Sequence, residues 1–313
     1  MNRMATEKFS TLVLENEGEG KRALITGLRG FTGHYMAQEL TAAGYRVFGT
    51  VLPGEPTGPD VFTVDLCDRD AVLRAVEEVQ PDVVVHLAGI AFVAHSNAEL
   101  IYRVNIVGTR NLLEALAAAR HQPSSVLLAS SANIYGHVDV PVIDESMTPA
   151  PFNDYGVSKL AMEHMAQLWS DKLPIIIARP FNYTGVGQDA NFLLPKIVSH
   201  FRSGARDIEL GNLNIARDFS DVRVVARAYR RLLALSPPGQ AYNVCSGRAY
   251  SLRGIIDTMA GIAGYDIDVR VNPAFVRASD VPTLVGSNRK LASVIGEIEP
   301  TPLEDTLRWM YQA

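Results

Sequence analysis

Cysteine is scarce in this chain of 313 residues: Cys67 and Cys245 are its only two, far apart and without metal-ligand spacing. That count excludes a disulfide framework and a cysteine metal site, and each sulfur reads as a small buried hydrophobe. The seven histidines form no H-E-x-x-H or other paired spacing, so no metal centre is encoded in a recognisable motif. Positive charge is short as well: 29 Lys and Arg face 34 Asp and Glu, a net charge of -5. This balance argues against a nucleic-acid partner, while a few placed arginines still suffice for one diphosphate. Long apolar runs are missing, since no stretch approaches the roughly 20 residues that cross a bilayer. Residues 1–21 are polar and lack the apolar stretch of a signal peptide. Residues 1–20 therefore read as a flexible N-terminal extension without chemistry, and a cytoplasmic protein with no membrane partner is expected. The remaining composition, 47% hydrophobic and 20% charged, is that of a globular protein with a sizeable core. The length permits two domains, or one with a split second lobe.

From Lys21 onwards short apolar runs alternate with helical stretches. Arg22-Ala23-Leu24-Ile25-Thr26 predicts a strand, and residues 32–43 a helix that Gly44 closes as a C-terminal cap. Further strands are expected over residues 45–51 and 61–64, then a helix over 68–79 stopped by Pro81. Asp82-Val83-Val84-Val85-His86-Leu87 is a continuous apolar strand, the mark of a sheet covered on both faces. A long helix over 98–120, a strand over 125–130, a helix carrying Tyr155 and a strand over 174–179 follow. This alternation gives an α/β chain with a doubly wound parallel sheet. Beyond about residue 179 it breaks down into shorter helices and isolated strands at 207–210 and 266–272. That region is expected as a smaller mixed α/β lobe over the carboxyl ends of the strands.

Gly27-Leu28-Arg29-Gly30-Phe31-Thr32-Gly33 lies between the first strand and the first helix. Glycines at this turn allow close approach of a pyrophosphate, which then rests on the helix N-terminus. Further on, Tyr155 and Lys159 are four residues apart and share one helix face. A free phenol titrates near ~10, and a neighbouring ammonium favours its ionised form. The pair, downstream of a strand ending in Ser130-Ser131, reads as an acid-base couple for hydride chemistry.

The G-x-x-G-x-x-G spacing together with Ser131, Tyr155 and Lys159 resembles the short-chain dehydrogenases/reductases, in their extended branch, from Lys21 to the end of the chain. The resemblance implies a Rossmann domain over residues 21–180 that binds NAD(P), and a nucleotide-sugar-binding lobe over residues 181–313 whose chain crosses back to the first domain. It assigns Ser131, Tyr155 and Lys159 to catalysis. Gly27, Arg29, Gly30, Phe31, Thr32, Gly33, Asp65, Leu66, Leu87, Ala88 and Gly89 fall, with Tyr155 and Lys159, on the cofactor. Asp65 has a second reading as part of a helix N-cap, and His86 reads as a strand-end core residue. The second strand ends Gly49-Thr50-Val51-Leu52 without the carboxylate that reads an NAD ribose. Arg29 offers a bidentate partner for a 2′-phosphate, so NADP(H) is preferred and NAD(H) remains open.

Sugar-nucleotide dehydratases of the superfamily carry acids immediately after the catalytic serine. Here Ala132 and Asn133 stand there, and neither acts as acid or base at neutral pH. A single hydride transfer to a sugar carbonyl is expected instead. Arg179-Pro180-Phe181-Asn182 resembles the segment that reaches the sugar or its diphosphate, with Tyr183 where related reductases often have His. Asn182, Arg217, Arg277 and Ser131 are the implied substrate contacts, the two arginines as a diphosphate clamp. In wording and order these segments are most similar to GDP-6-deoxy-4-keto-mannose reductases, which make GDP-rhamnose. Three alternatives stay open: a 4-epimerase, a 4-reductase giving a 6-deoxytalose, and a non-catalytic nucleotide-binding protein on the same fold. The superfamily's usual pairing through the helices at 98–120 and 154–171 implies a homodimer.

Overall fold

The computed structural model describes residues 16–91, 97–138, 140–276 and 283–313. Residues 16–20, counted with the extension in the sequence reading, form a turn that belongs to the fold. Gly18 N donates to Ala43 O at 3.0 Å, and the Tyr45 ring covers Gly18 so closely that no Cβ fits.

The elements run in the expected alternation: β1 (Arg22–Thr26), α1 (Phe31–Ala42), β2 (Arg46–Val51), β3 (Val61–Thr63), α2 (Arg69–Val79), β4 (Val83–His86), α3 (Ala98–Tyr102), α4 (Thr109–Ala118), β5 (Ser125–Ala129), α5 (Asp154–Gln167) and β6 (Ile175–Pro180). Gly44 ends α1 as predicted, at φ +89°, with Tyr45 N bonded back to Leu40 O at 3.1 Å. Gln80 turns left-handed (φ 46°) ahead of Pro81 and stops α2.

Seven parallel strands form one sheet in the order β10-β6-β5-β4-β1-β2-β3, where β10 is Gln240–Val244. The order reverses between β1 and β4, and ligands of doubly wound sheets bind at such a switch point. Two apolar layers cover the sheet. Met36 and Leu40 of α1 pack on one face with Val225, Tyr229 and Leu232 of α7 (Val222–Leu235). Val72 and Val76 of α2, Leu112 and Leu116 of α4, and Met162 of α5 pack on the other. Thus β10 and α7, from beyond residue 180, join the seven-stranded sheet and the layer that covers it.

The remaining elements are β7 (Asn182–Thr184), α6 (Leu193–Arg202), β8 (Asp207–Leu210), β9 (Ala216–Asp221), β11 (Ala249–Ser251), α8 (Leu252–Ala263), β12 (Asp268–Val271), β13 (Thr283–Leu284), α9 (Arg289–Ile295) and α10 (Leu303–Gln312). They build a smaller mixed lobe: β7 and β13 pair parallel to β9, and β11 pairs antiparallel to it. Its core joins Ile197 and Phe201 of α6, Ile256 and Met259 of α8, and Leu307 of α10. Among the described residues no helix is long and apolar enough to cross a membrane.

The single helix expected over 98–120 is broken. Arg103–Gly108 forms a wider π-helical turn between α3 and α4, a distortion often found where a helix serves a site. Asn105 of this turn points into the protein.

Candidate active site

Gly27 leaves β1 at φ +75°, a left-handed conformation suited to glycine. Leu28 N then donates to Thr50 O and Gly30 N to Gly27 O, both at 3.0 Å, which folds the loop onto β2. A Cβ on Gly33 would stand 2.2 Å from Gly27 O and 2.7 Å from Leu28 O, so glycine lets α1 begin this close to β1. No side chain caps α1 at Gly30, and its first turn carries no acid. The amides of Phe31, Thr32 and Gly33 are thus available to an anion, with the helix dipole behind them. This bare backbone cradle fits a dinucleotide pyrophosphate.

Leu87 and Ala88 extend from β4 beside the loop, and both bond Thr26: Leu87 N to its carbonyl at 3.3 Å and Ala88 N to its hydroxyl at 3.2 Å. Gly89 faces Asn105 Oδ1 and Lys159 Nζ, where an added Cβ would lie 2.9 and 3.4 Å from them. Asp65 is exposed at the far end, and its Oδ1 accepts from Cys67 N at 2.8 Å. Asp68, not Asp65, caps α2, accepting from Asp70 N and Ala71 N. Leu66 is buried under this turn, its carbonyl held by Asn111 Nδ2 at 2.8 Å. Arg29 is exposed and lines a cavity of about 460 Å³ with His34, Tyr35, Val186 and Gly187. Glu55 folds back so that its Oε2 accepts from Leu52 N at 2.7 Å. A carboxylate therefore does stand at the end of β2, although the strand itself contains none.

The catalytic candidates converge at the ends of β5 and β4. Asn153 starts α5 by accepting from Gly156 N at 2.7 Å, which sets Tyr155 and Lys159 on the inward face. Tyr155 is 7% exposed. Burial raises its phenol above the ordinary range, and a hydrogen bond with the Ser131 hydroxyl opposes that rise. Ser131 Oγ accepts from Asn133 N at 3.1 Å and Asn133 Nδ2 at 3.0 Å. With its lone pairs so engaged, the serine keeps its proton for donation. Asn133, read in the sequence as a missing acid, is the residue that orients this hydroxyl.

Lys159 is 6% exposed and donates to Ala129 O at 2.8 Å, with Nζ 6.0 Å from the Tyr155 ring centroid. Burial pushes its ammonium down to about 8, while Glu163 pulls it up. The sequence reading has the lysine drawing the phenol down, yet in the free chain the phenol is raised. The i, i+4 spacing places the two residues on one face, but the dryness of that face acts on both groups. His86 reads as a core residue, and its surroundings agree. Its ring lies between the Thr26 hydroxyl at 2.7 Å and the Thr109 hydroxyl at 2.8 Å, and burial holds it down to about 3, so it is neutral.

Asn105 was not singled out in the sequence. Its Nδ2 donates to Ser158 Oγ at 3.0 Å and Ile90 O at 3.2 Å, and its Oδ1 accepts from Ile90 N at 2.9 Å. It thereby fixes the end of β4 against α5. The available signal was one asparagine at helical spacing between Ile101, Thr109 and Leu112, all of which are buried.

Asn182 leaves the same sheet edge, and its Nδ2 donates to Asp218 O at 3.1 Å. Arg217 lies on neighbouring β9, where Asn182 pairs with Phe219, and its Nη1 donates to Ala216 O at 2.9 Å. Arg277 lies outside the described residues. Tyr183 bonds Thr32 through their hydroxyls at 2.8 Å and stacks on Phe31 at 6.0 Å, while Tyr35 donates to Val186 O at 2.7 Å. The substrate-side loop is thereby fastened to the first turn of α1.

Residues 23–245 match the NAD dependent epimerase/dehydratase family. The GDP-6-deoxy-D-talose 4-dehydrogenase of Aggregatibacter actinomycetemcomitans is 35% identical over 93% of this chain and 97% of its own length. The GDP-6-deoxy-D-mannose reductase of Pseudomonas aeruginosa is 33% identical, covering 92% and 95%. Among solved structures, RMD from Pseudomonas aeruginosa complexed with NADPH is 31% identical with a TM-score of 0.82, over 93% of this chain and 98% of that one.

Proposed function

Because the chain belongs to the NAD dependent epimerase/dehydratase family, we propose that it reduces the 4-keto group of a GDP-linked 4-keto-6-deoxy sugar, converting GDP-4-dehydro-6-deoxy-D-mannose to GDP-D-rhamnose. It is an NAD(P)-dependent oxidoreductase, and relatives named for GDP-6-deoxy sugars support the substrate class. The observation that carries the reading is the grouping of Ser131, Tyr155 and Lys159 around an asparagine where a dehydratase would need an acid.

When bound, the reduced dinucleotide supplies a hydride. The amides at the start of α1 would hold its pyrophosphate, and Lys159, next to Gly89, would hold its ribose hydroxyls. Tyr155 donates the phenolic proton to the sugar oxygen as it becomes an alkoxide. A raised phenol is a group that still carries its proton at neutral pH, as a donor in the reductive direction must. Ser131 Oγ donates a second hydrogen bond to that oxygen and shares the developing charge. Asn182 and Arg217, with Arg277, are the proposed contacts to sugar and diphosphate.

The test is incubation with a panel of nucleotide-linked 4-keto-6-deoxy sugars and NADPH or NADH. Stoichiometric loss of reduced cofactor with the GDP-linked mannose derivative, and an equatorial C4 hydroxyl in the product by NMR, are the expected results. An axial hydroxyl would support the second reading, a 6-deoxytalose product, which the 35% identity to the talose 4-dehydrogenase favours. Interconversion of a sugar pair without added reductant would instead identify an epimerase.

NADPH is proposed as the preferred donor through Arg29, against the competing carboxylate of Glu55. Arg29→Ala is expected to weaken NADPH about tenfold, the scale of one hydrogen bond to a charged group, and NADH little. Equal losses in fluorescence titrations would remove that role. A homodimer is proposed through α3, the π-helical turn and α5, which leave Leu100, Val107 and Val157 exposed on adjoining elements. Sedimentation should give twice the chain mass, and a monomer would refute it.

A further inference from the structure

We propose that Glu163, paired with Arg179, is a positioning residue that serves as the counter-charge of the Lys159 ammonium and ties its helix to the loops beneath the reaction centre. Its significance rests on the reading of Lys159 as the partner of Tyr155; the geometry does not. Lys159 and Glu163 are one turn apart on α5, and both are 6% exposed. The Glu163 carboxylate takes a two-pronged contact from Arg179 at the end of β6: Nε to Oε1 at 3.0 Å and Nη2 to Oε2 at 2.6 Å. Arg179, 9% exposed, also donates from Nη1 to the Tyr135 hydroxyl at 3.0 Å. That phenol, pushed up to about 12 by burial, donates to Asn243 Oδ1 at 2.7 Å. Asn243 N in turn donates to Glu145 Oε1 at 2.7 Å.

A buried ion pair is a poor stabiliser, and well-packed apolar residues often replace one without loss. This pair therefore needs another reason to be there, and its place supplies one. Tyr135 closes the segment that begins at Ser131, and Arg179 opens the segment that leads to Asn182. Through them Glu163 ties α5 to both loops that meet the substrate. It also acts on Lys159. The groups facing that ammonium are Tyr155 on its own helix, neutral His86 from β4, the Ala129 carbonyl from β5 and uncharged Asn105 from the π-helical turn. One turn on, Glu163 is the anion among the described neighbours, with the Arg179 guanidinium from β6 bonded to its carboxylate. An opposite charge close by favours the charged form against the cost of burial, and Glu163 does so here.

The test uses the free full-length chain, without cofactor or sugar. Lysine carrying ¹³C at Cε is followed by NMR across pH, and Lys159 is recognised among the six lysines by its absence in Lys159→Arg. The wild-type amine should titrate at about 8, and in Glu163→Gln about 1 pH unit lower. Glu163→Asp should restore the wild-type value. Because Glu163→Gln leaves Arg179 unpaired in the interior, the double variant Glu163→Leu/Arg179→Met is measured beside it. It should fold and still show the lowered titration. An unchanged Lys159 in either folded variant overturns the proposal. Failure of both to fold overturns it too, since the pair is then a structural prop. In turnover assays the alkaline limb of kcat/KM should move to lower pH in parallel. A protein that oxidises no NADPH with any sugar refutes the functional reading and leaves the NMR result standing, so the two failures are separable.

Discussion

Replacing Tyr155 by phenylalanine should lower kcat for NADPH-dependent sugar reduction about 10²- to 10⁴-fold, the range of a positioned acid or base, while NADPH binding stays near wild type. The substitution removes one oxygen from a side chain that is 7% exposed and leaves the ring in place, so no cavity opens. The lost oxygen is the one in hydrogen-bonding reach of Ser131. Without it Ser131 can still donate to the sugar oxygen, but a serine hydroxyl is too weak an acid to deliver the proton. Lys159 stays anchored on the Ala129 carbonyl, in place for the cofactor contact proposed for it. A stopped-flow trace showing wild-type hydride transfer would mean that another group supplies the proton, and the assignment would fall.

Gly33→Ala should weaken NADPH binding more than tenfold and lower the thermal midpoint by several degrees, as overpacking by about 1–3 kcal/mol would. The added methyl would meet the Gly27 and Leu28 carbonyls at 2.2 and 2.7 Å, and that loop has little room to retreat because it continues directly from buried β1 and Leu28 N is bonded to Thr50 O of β2. The N-terminus of α1 must move instead, and it carries the amides proposed to hold the pyrophosphate. Phe31 and Thr32 would move with it, straining the contacts to Tyr183. Tight NADPH binding and an unchanged midpoint in titration calorimetry and thermal unfolding would show that the loop is not the cradle described.

Much of this molecule was legible in one dimension. Strands of four to six apolar residues alternating with amphipathic helices dictate a covered parallel sheet, because neither element can hide its apolar face alone. Gly27 and Gly33 announced the turn proposed to hold the cofactor, since each sits where a side chain would collide with backbone or need a left-handed conformation. The four-residue spacing of Tyr155 and Lys159 put them on one helix face before any coordinates. The wrong or missing readings have two sources. Asn105 acts through contacts to Ile90 and Ser158, distant in the chain and made from the π-helical turn inside the expected 98–120 helix, whereas Glu55 and Asn133 act through local side-chain contacts, to Leu52 N and Ser131 Oγ, that no periodicity encodes.

The division of labour is therefore physical. Periodicity and turn chemistry are local, and they determined the sheet, its covering helices, the glycine turn and the placing of Tyr155 and Lys159 on one helix face. Dielectric surroundings, buried charge pairs and the packing of distant segments are sums over neighbours far apart in the chain. Only the tertiary structure decided that the phenol is raised, that the ammonium is held by Ala129 and countered by Glu163, and which elements, β10 and α7, join the seven-stranded sheet and its cover.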